Sequence, residues 1–142
     1  MSQFTITMPD GTTTKNIPCS SLQPSGKKNI ESKPNANLDG PVEVQTNSYE
    51  NLKFVLQGVH FTGEEGDLDY DDVLTLYKSK FTGTNAAKIN VTYGTDKILK
   101  GLEDSTDIYV VLESFNFPID MRESKDGYMP VGSLIFVETD TE

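Results

Sequence analysis

The chain has one cysteine, one histidine and no tryptophan in 142 residues. Its basic side chains are also scarce: 12 Lys and Arg stand against 22 Asp and Glu, a formal charge of −10. Each shortage removes a class of function. With Cys19 alone no intrachain disulfide can form, and no basic neighbour lowers its pKa, so it reads as a small loop residue and not a nucleophile. With His60 alone there is no two-histidine metal site and no second His-relayed pair. The missing basic stripe argues against reading DNA or RNA, because a protein needs cations to displace the counterions of a phosphate backbone. No apolar window approaches the roughly 20 residues of a membrane span. The opening MSQFTITMPDG lacks the basic start and apolar run of a secretory signal, so the expectation is a soluble protein made in the cytoplasm. Phosphate-cradling glycine motifs are missing too, which leaves nucleotide binding without support.

What is present is mostly strand chemistry. At 35% hydrophobic content, 142 residues suffice for one domain (1–142) with a modest core. Phe4, Ile6 and Met8 alternate along residues 2–8, and Asp10-Gly11 supplies a turn. Residues 12–38 are rich in Pro and Ser without apolar period. They read either as an extended arm that becomes ordered against a neighbouring molecule or as a floppy insertion. PVEVQTN (41–47) and NLKFVLQGVHFTG (51–63) read as a hairpin turning at Ser48-Tyr49-Glu50. In its second strand Leu52, Phe54 and Leu56 share a face, but beyond Gly58 the phase passes to Val59 and Phe61. A period of two cannot change phase without an extra residue, so Gly58 marks a β-bulge.

Within EEGDLDYDDVLTLYKSKFT (64–82), Tyr70, Val73, Leu74, Tyr77 and Phe81 predict a helix over about 68–81. Aspartates load its first turn, lysines its last, and Gly83 is placed for a left-handed cap. In 86–94, Ile89, Val91 and Tyr93 are expected inward and Lys88, Asn90 and Thr92 outward. Two final strands, 106–120 and 127–139, complete an α+β, mainly β fold. It is expected as an antiparallel β-sandwich or partly closed barrel with one helix and a long N-terminal arm.

Asp67, Asp69 and Asp71 copy the D-x-D-x-D start of a calcium loop and are the candidate metal ligands. The register then puts Asp72 where Gly is wanted and Lys78 where a bidentate Glu should close the cage, so helix N-terminal charge is the plainer explanation. Glu113 could pair with Asp120 or Glu138 for acid–base work, although carboxylates this numerous pair by chance. Asn90-Val91-Thr92 matches a glycosylation sequon without any secretion signal. No catalytic constellation emerges, no cofactor is implied, and an enzyme is not expected.

The stretch ESFNFPIDMRESKDGYMPVGS (113–133) carries two strands into a charged tip. A two-stranded projection is marginal in water. It is therefore expected to reach a neighbouring subunit through Phe115, Phe117, Ile119, Met121, Tyr128 and Met129. In order, DGPVEVQ (39–45), YENLKFVLQGVHF (49–61), DVLTLY (72–77), YVVLESFNF (109–117) and GYMPVGSLIFVET (127–139) resemble small tail and baseplate proteins of contractile-tailed phages and related injection systems. The resemblance spans about 39–139. It implies a tail-tube-type β core, copies assembled in a ring, often of six, contact with other tail proteins, and residence in a virion tail. It transfers no catalytic residue and no membrane contact. DNA would pass an acidic lumen without binding. A different class, a β-sandwich module for a carbohydrate or other ligand, would draw on Tyr49, Tyr93 and Tyr128. A calcium-dependent adhesion domain would rest on the three aspartates.

Overall fold

The computed structural model describes residues 2–33, 43–103, 105–118 and 131–139. In chain order it contains β1 (Ser2–Thr7), β2 (Thr14–Asn16), β3 (Ser21–Ser25), β4 (Lys28–Lys33), β5 (Glu43–Tyr49), β6 (Lys53–Val59), α1 (Tyr70–Lys78), β7 (Ala87–Tyr93), β8 (Asp96–Lys97), β9 (Ile108–Asn116) and β10 (Gly132–Glu138). A 3₁₀ turn, Gly83–Asn85, precedes β7. The fold is mainly β with a single helix: an eight-stranded antiparallel sheet, not closed, and a separate two-stranded ribbon.

The main sheet runs β2-β1-β7-β9-β10-β6-β3, with β8 on β7. Its two outermost strands are joined by only four residues, Ile17 to Ser20. Such a link spans at most about 18 Å, so the sheet has to curl until its edges nearly meet. The link is pinned to both edges. Ile17 N–H donates to the Phe4 carbonyl (2.9 Å), and Ser20 N–H to that of Gln57 (2.9 Å). Ile17 is buried in the core, and Cys19 and Leu22 pack against it. The arm expected at 12–38 is therefore, through residue 33, strand and crossing within the chain's own sheets. Residues 34–38 lie outside the described residues. Polar and Pro-rich sequence hid this because backbone pairing needs no apolar period.

The expected 41–63 hairpin is also re-partnered. β5 pairs with β4 as the ribbon, while β6 lies between β3 and β10, with Leu22 opposite Leu56. Alternation defines a strand's faces but not its neighbours. Gly58 is the bulge: Gly132 faces Val59 and Ser133 faces Gln57, which leaves Gly58 unopposed at φ 70°. A second bulge sits across β10, where Ile135 faces Ser114 and Phe136 faces Leu112, leaving Glu113 as the extra residue.

The helix occupies 70–78, shorter than expected, and its stripe is rotated. Val73 and Leu76 are buried, whereas Tyr70, Tyr77 and Phe81 reach the surface. The chain leaves the helix extended at Ser79; Gly83 has φ 62° but opens the 3₁₀ turn instead of capping the helix. In β7 the expected faces fail at two places: Asn90 is buried and Tyr93 is exposed. The segment after β8 folds over Asn90. The Asn90 amide donates to the carbonyls of Thr106 (2.6 Å) and Leu99 (3.3 Å), and its oxygen accepts from Leu99 N–H (3.0 Å). The sequon asparagine is thus enclosed and engaged.

All strands of the main sheet run between two ends. Asn116, Gly132, Val59 and Thr7 mark one, over which α1 lies; Ile108, Glu138, Lys53 and Ser2 mark the other, from which the ribbon emerges. A Cβ at Gly58 would collide with the Ser20 side chain, and its φ is unfavourable for any L residue. Gly58→Ala is expected to destabilise by about 2 kcal/mol in urea unfolding, and adding Ser20→Gly to recover about half of that.

Candidate functional site: an aromatic platform at the helix end

The two bulges act together on side-chain direction. Before them, Phe54 and Leu56 of β6 and Ile108, Val110 and Leu112 of β9 enter the core. One extra residue in each strand then returns Val59, a core side chain, and Phe61 in the first, and Phe115 and Phe117 in the second, to that same face, the three phenylalanines packing against the core from outside. The helix brings Tyr70 and Tyr77 over them. Phe61 and Phe117 have ring centres 4.9 Å apart. Tyr77 meets Phe115 edge-on at 5.3 Å, and Tyr70 does so at 6.2 Å. Edge-to-face rings stabilise one another by about 0.5–1.5 kcal/mol beyond their buried area. The platform is anchored below and open above: the phenylalanines are half-buried, while Tyr77 is 54% exposed.

The helix is fixed by its N-terminus. Asp69 accepts from Asp72 N–H (2.9 Å), and the Asp72 carboxylate accepts from Asp69 N–H (3.2 Å), a reciprocal cap. Lys15 bonds Asp72 (2.5 Å), tying β2 to the helix; the Asp72 bond holds the lysine pKa above its ordinary value. Gly132 allows the platform its packing, since a Cβ there would strike the Phe117 ring and the Asn116 carbonyl.

Of the expected interface residues, Phe115 and Phe117 meet in this platform; Ile119, Met121, Tyr128 and Met129 lie outside the described residues. The calcium candidates have other work. Asp69 caps the helix, Asp67 accepts from the Thr62 hydroxyl (2.6 Å), and Asp71 sits in the first helical turn. Among the described residues no three His, Cys, Asp or Glu side chains converge. Glu113 pairs with Lys53 (3.5 Å) at the surface, whereas Glu138 is buried and accepts from Leu102 N–H (2.9 Å) near the far end. Those two carboxylates share no cleft, and Asp120 lies outside the described residues. His60 is exposed, with its ring 3.4 Å from the Gly58 carbonyl. Burial pushes the Cys19 thiol pKa up, away from thiolate chemistry.

Sequence reasoning missed Tyr70 and Tyr77 as surface residues, having put them in the core stripe. It also missed a groove of about 690 Å³ on the other side of the helix from the platform, bordered by Met8, Pro9, Asp10, Thr75 and Phe81. A second cavity of about 560 Å³ opens at the Ile17–Ser20 crossing. Tyr49 and Tyr93 line neither, and Tyr128 is outside the described residues. Compared with known proteins, the chain matches no family model, and no curated protein matches it.

Two outcomes follow from this geometry. Phe115→Ala should destabilise by about 2 kcal/mol, because three rings lose a neighbour, while Tyr77→Ser should cost less than about 1 kcal/mol in the same denaturation assay. The Asp10 carboxylate on the groove wall accepts from Thr13 N–H (2.9 Å), the Thr13 hydroxyl (2.7 Å) and Thr12 N–H (2.8 Å). These bonds, Thr13's backbone first, lower its pKa from 3.8 to about 2. A lowered value means that the turn's contribution is present above pH 3.8 and disappears as pH falls through about 2. Carboxyl NMR titration should give that midpoint, and in Thr13→Ala it should move back toward 3.8.

Proposed function

We propose that this protein is a structural subunit of a viral or virus-like tail, placed in the tube, its terminator or the tube-proximal baseplate ring. The observation that carries the proposal is the aromatic platform, which gathers Phe115 and Phe117 where β9 ends at Asn116. An anchored aromatic surface at the end of a sheet suits a contact with another subunit. The resemblance of residues 39–139 to tail and baseplate proteins points the same way. So does the acidic balance, which favours sliding of DNA past the protein over adhesion.

Residues 12–25 of the expected arm do not contribute to this proposal, because they belong to the chain's own main sheet. β contacts between copies instead fall to the ribbon. In the main sheet one outer strand, β2, has three residues and the other, β3, carries Pro24, two features that discourage further pairing. The ribbon has no hydrogen-bonded neighbour in the main sheet among the described residues. Two strands alone are marginal in water, so a ring of copies, six by the resemblance, would give them support.

A second reading, a ligand- or carbohydrate-binding module, is favoured by the 690 Å³ groove with Phe81 on its rim. Labelled antibody and negative-stain microscopy of tail particles separate the two. Regular labelling at one level of the tail is the expected result. A protein that stays off tails and, as a monomer, binds arrayed glycans would replace the proposal with the second reading.

A further inference from the structure

On the ribbon side of the Ile17–Ser20 crossing the main sheet stays unclosed. β2 accompanies β1 only along Thr5–Thr7, so among the described residues Ser2 to Phe4 have a strand on one side, β7, and no strand on the other. β3 likewise pairs with β6 alone. Between these two margins lies the 560 Å³ cavity, which Gln3 and Phe4 line from β1 and Ser21 and Leu22 from β3. Its floor is apolar. Phe4 and Ile17 belong to the buried core, and Leu22 and Val91 are partly buried side chains packed on it. Small-molecule sites occupy about 300–1,000 Å³, a range that includes this volume.

The rim carries charge of one sign. Glu64 and Asp67 line the cavity, and no lysine, arginine or histidine does. The acidic segment is fixed against the crossing: Asn16 N–H donates to the Gly66 carbonyl (2.9 Å), and Leu68 N–H to that of Asn16 (2.8 Å). Asp67 accepts from the Thr62 hydroxyl (2.6 Å), a neutral donor that leaves its charge uncompensated. The Glu64 side chain has no hydrogen bond or ion pair among the described residues. Lys15, next to Asn16 in β2, lines the other groove, where Asp72 is its partner. Two carboxylates beside an apolar floor favour a positive charge that brings apolar surface with it, and they repel an anion.

We infer that this cavity binds a small organic cation with an apolar body. The body enters between β1 and β3 onto Phe4, Ile17, Leu22 and Val91, while the positive centre rests near Glu64 and Asp67. The site is separate from the aromatic platform and from the 690 Å³ groove, and it does not depend on the tail reading. Neutral sugars lack the charge that this rim selects.

Cys19, the chain's single cysteine, lines the same cavity and supplies the readout. Its alkylation by iodoacetamide is followed by mass spectrometry of the full chain, at mildly alkaline pH because burial raises the thiol pKa. Hexyltrimethylammonium, which joins the charge to an alkyl chain, is the probe. Hexanesulfonate has the chain with the opposite charge, and tetramethylammonium has the charge without the chain. The probe should slow alkylation at least about threefold and saturably in the millimolar range, and the other two should leave it nearly unchanged. Glu64→Gln combined with Asp67→Asn keeps the side-chain shapes and removes both charges. It should raise the probe concentration for half-protection about tenfold. Circular dichroism melting verifies its fold; if it melts early, Glu64→Gln alone, at an exposed residue, takes its place with about threefold expected. Equal protection by hexanesulfonate would mean apolar adhesion only, and no protection would mean that the probe does not enter. Either overturns the inference, as does an uncharged variant protected like the wild type. None of these results bears on labelling of tail particles or on glycan binding, so the proposals fail separately.

Discussion

Side chains on a strand alternate faces without exception, and a single added residue is the only way to change which of them face inward. The two strands flanking β10 each contain one, Gly58 in β6 and Glu113 in β9. Below these positions the inward residues fill the core; above them the inward residues are Phe61, Phe115 and Phe117. Had either strand run in unbroken register, its terminal phenylalanines would face away from the helix. The platform would then lose the rings against which Tyr70 and Tyr77 stand. The helix in turn is oriented by its reciprocal Asp69–Asp72 cap and by Lys15, so backbone parity and a few charges together settle one surface.

The curl of the sheet depends on a different device. Ile17 to Ser20 cross from one outer strand to the other and donate to both, which brings the edges close without a ladder between them. Ser20 then lies against Gly58, so the crossing and the bulge occupy adjoining space. Shortness at β2 and proline in β3 limit what else those edges can pair with. Lateral growth of the sheet is thereby discouraged at both of its edges.

Several parts of this arrangement were legible in the residues. The phase change at Gly58, the turn at Asp10-Gly11, the existence of the helix, and the inward set Phe4, Ile6 and Met8 all follow from period and turn chemistry. The strands at 14–16 and 21–25 did not, because they are polar and are held by backbone bonds whose partners are distant in sequence. Asn90 was misplaced because β7 is covered on its second face by a loop that alternation knows nothing about. The helix stripe was misjudged for a related reason. Tyr70 and Tyr77 have the spacing of a core face, but the surface they meet is itself the rim of the molecule. Of the site, the sequence pointed to Phe115 and Phe117 through their alternation, and only the packing of three elements shows that Phe61, Tyr70 and Tyr77 join them.

The strands extend from one end of the molecule to the other, with their hydrogen bonds lying across that direction. A tensile force applied between the two ends would therefore try to slide neighbouring strands past each other, straining many backbone bonds at once instead of peeling them off singly. The Ile17–Ser20 crossing fastens the two margins against the same displacement. Such a body resists stretching best along one axis, the one that joins its two ends.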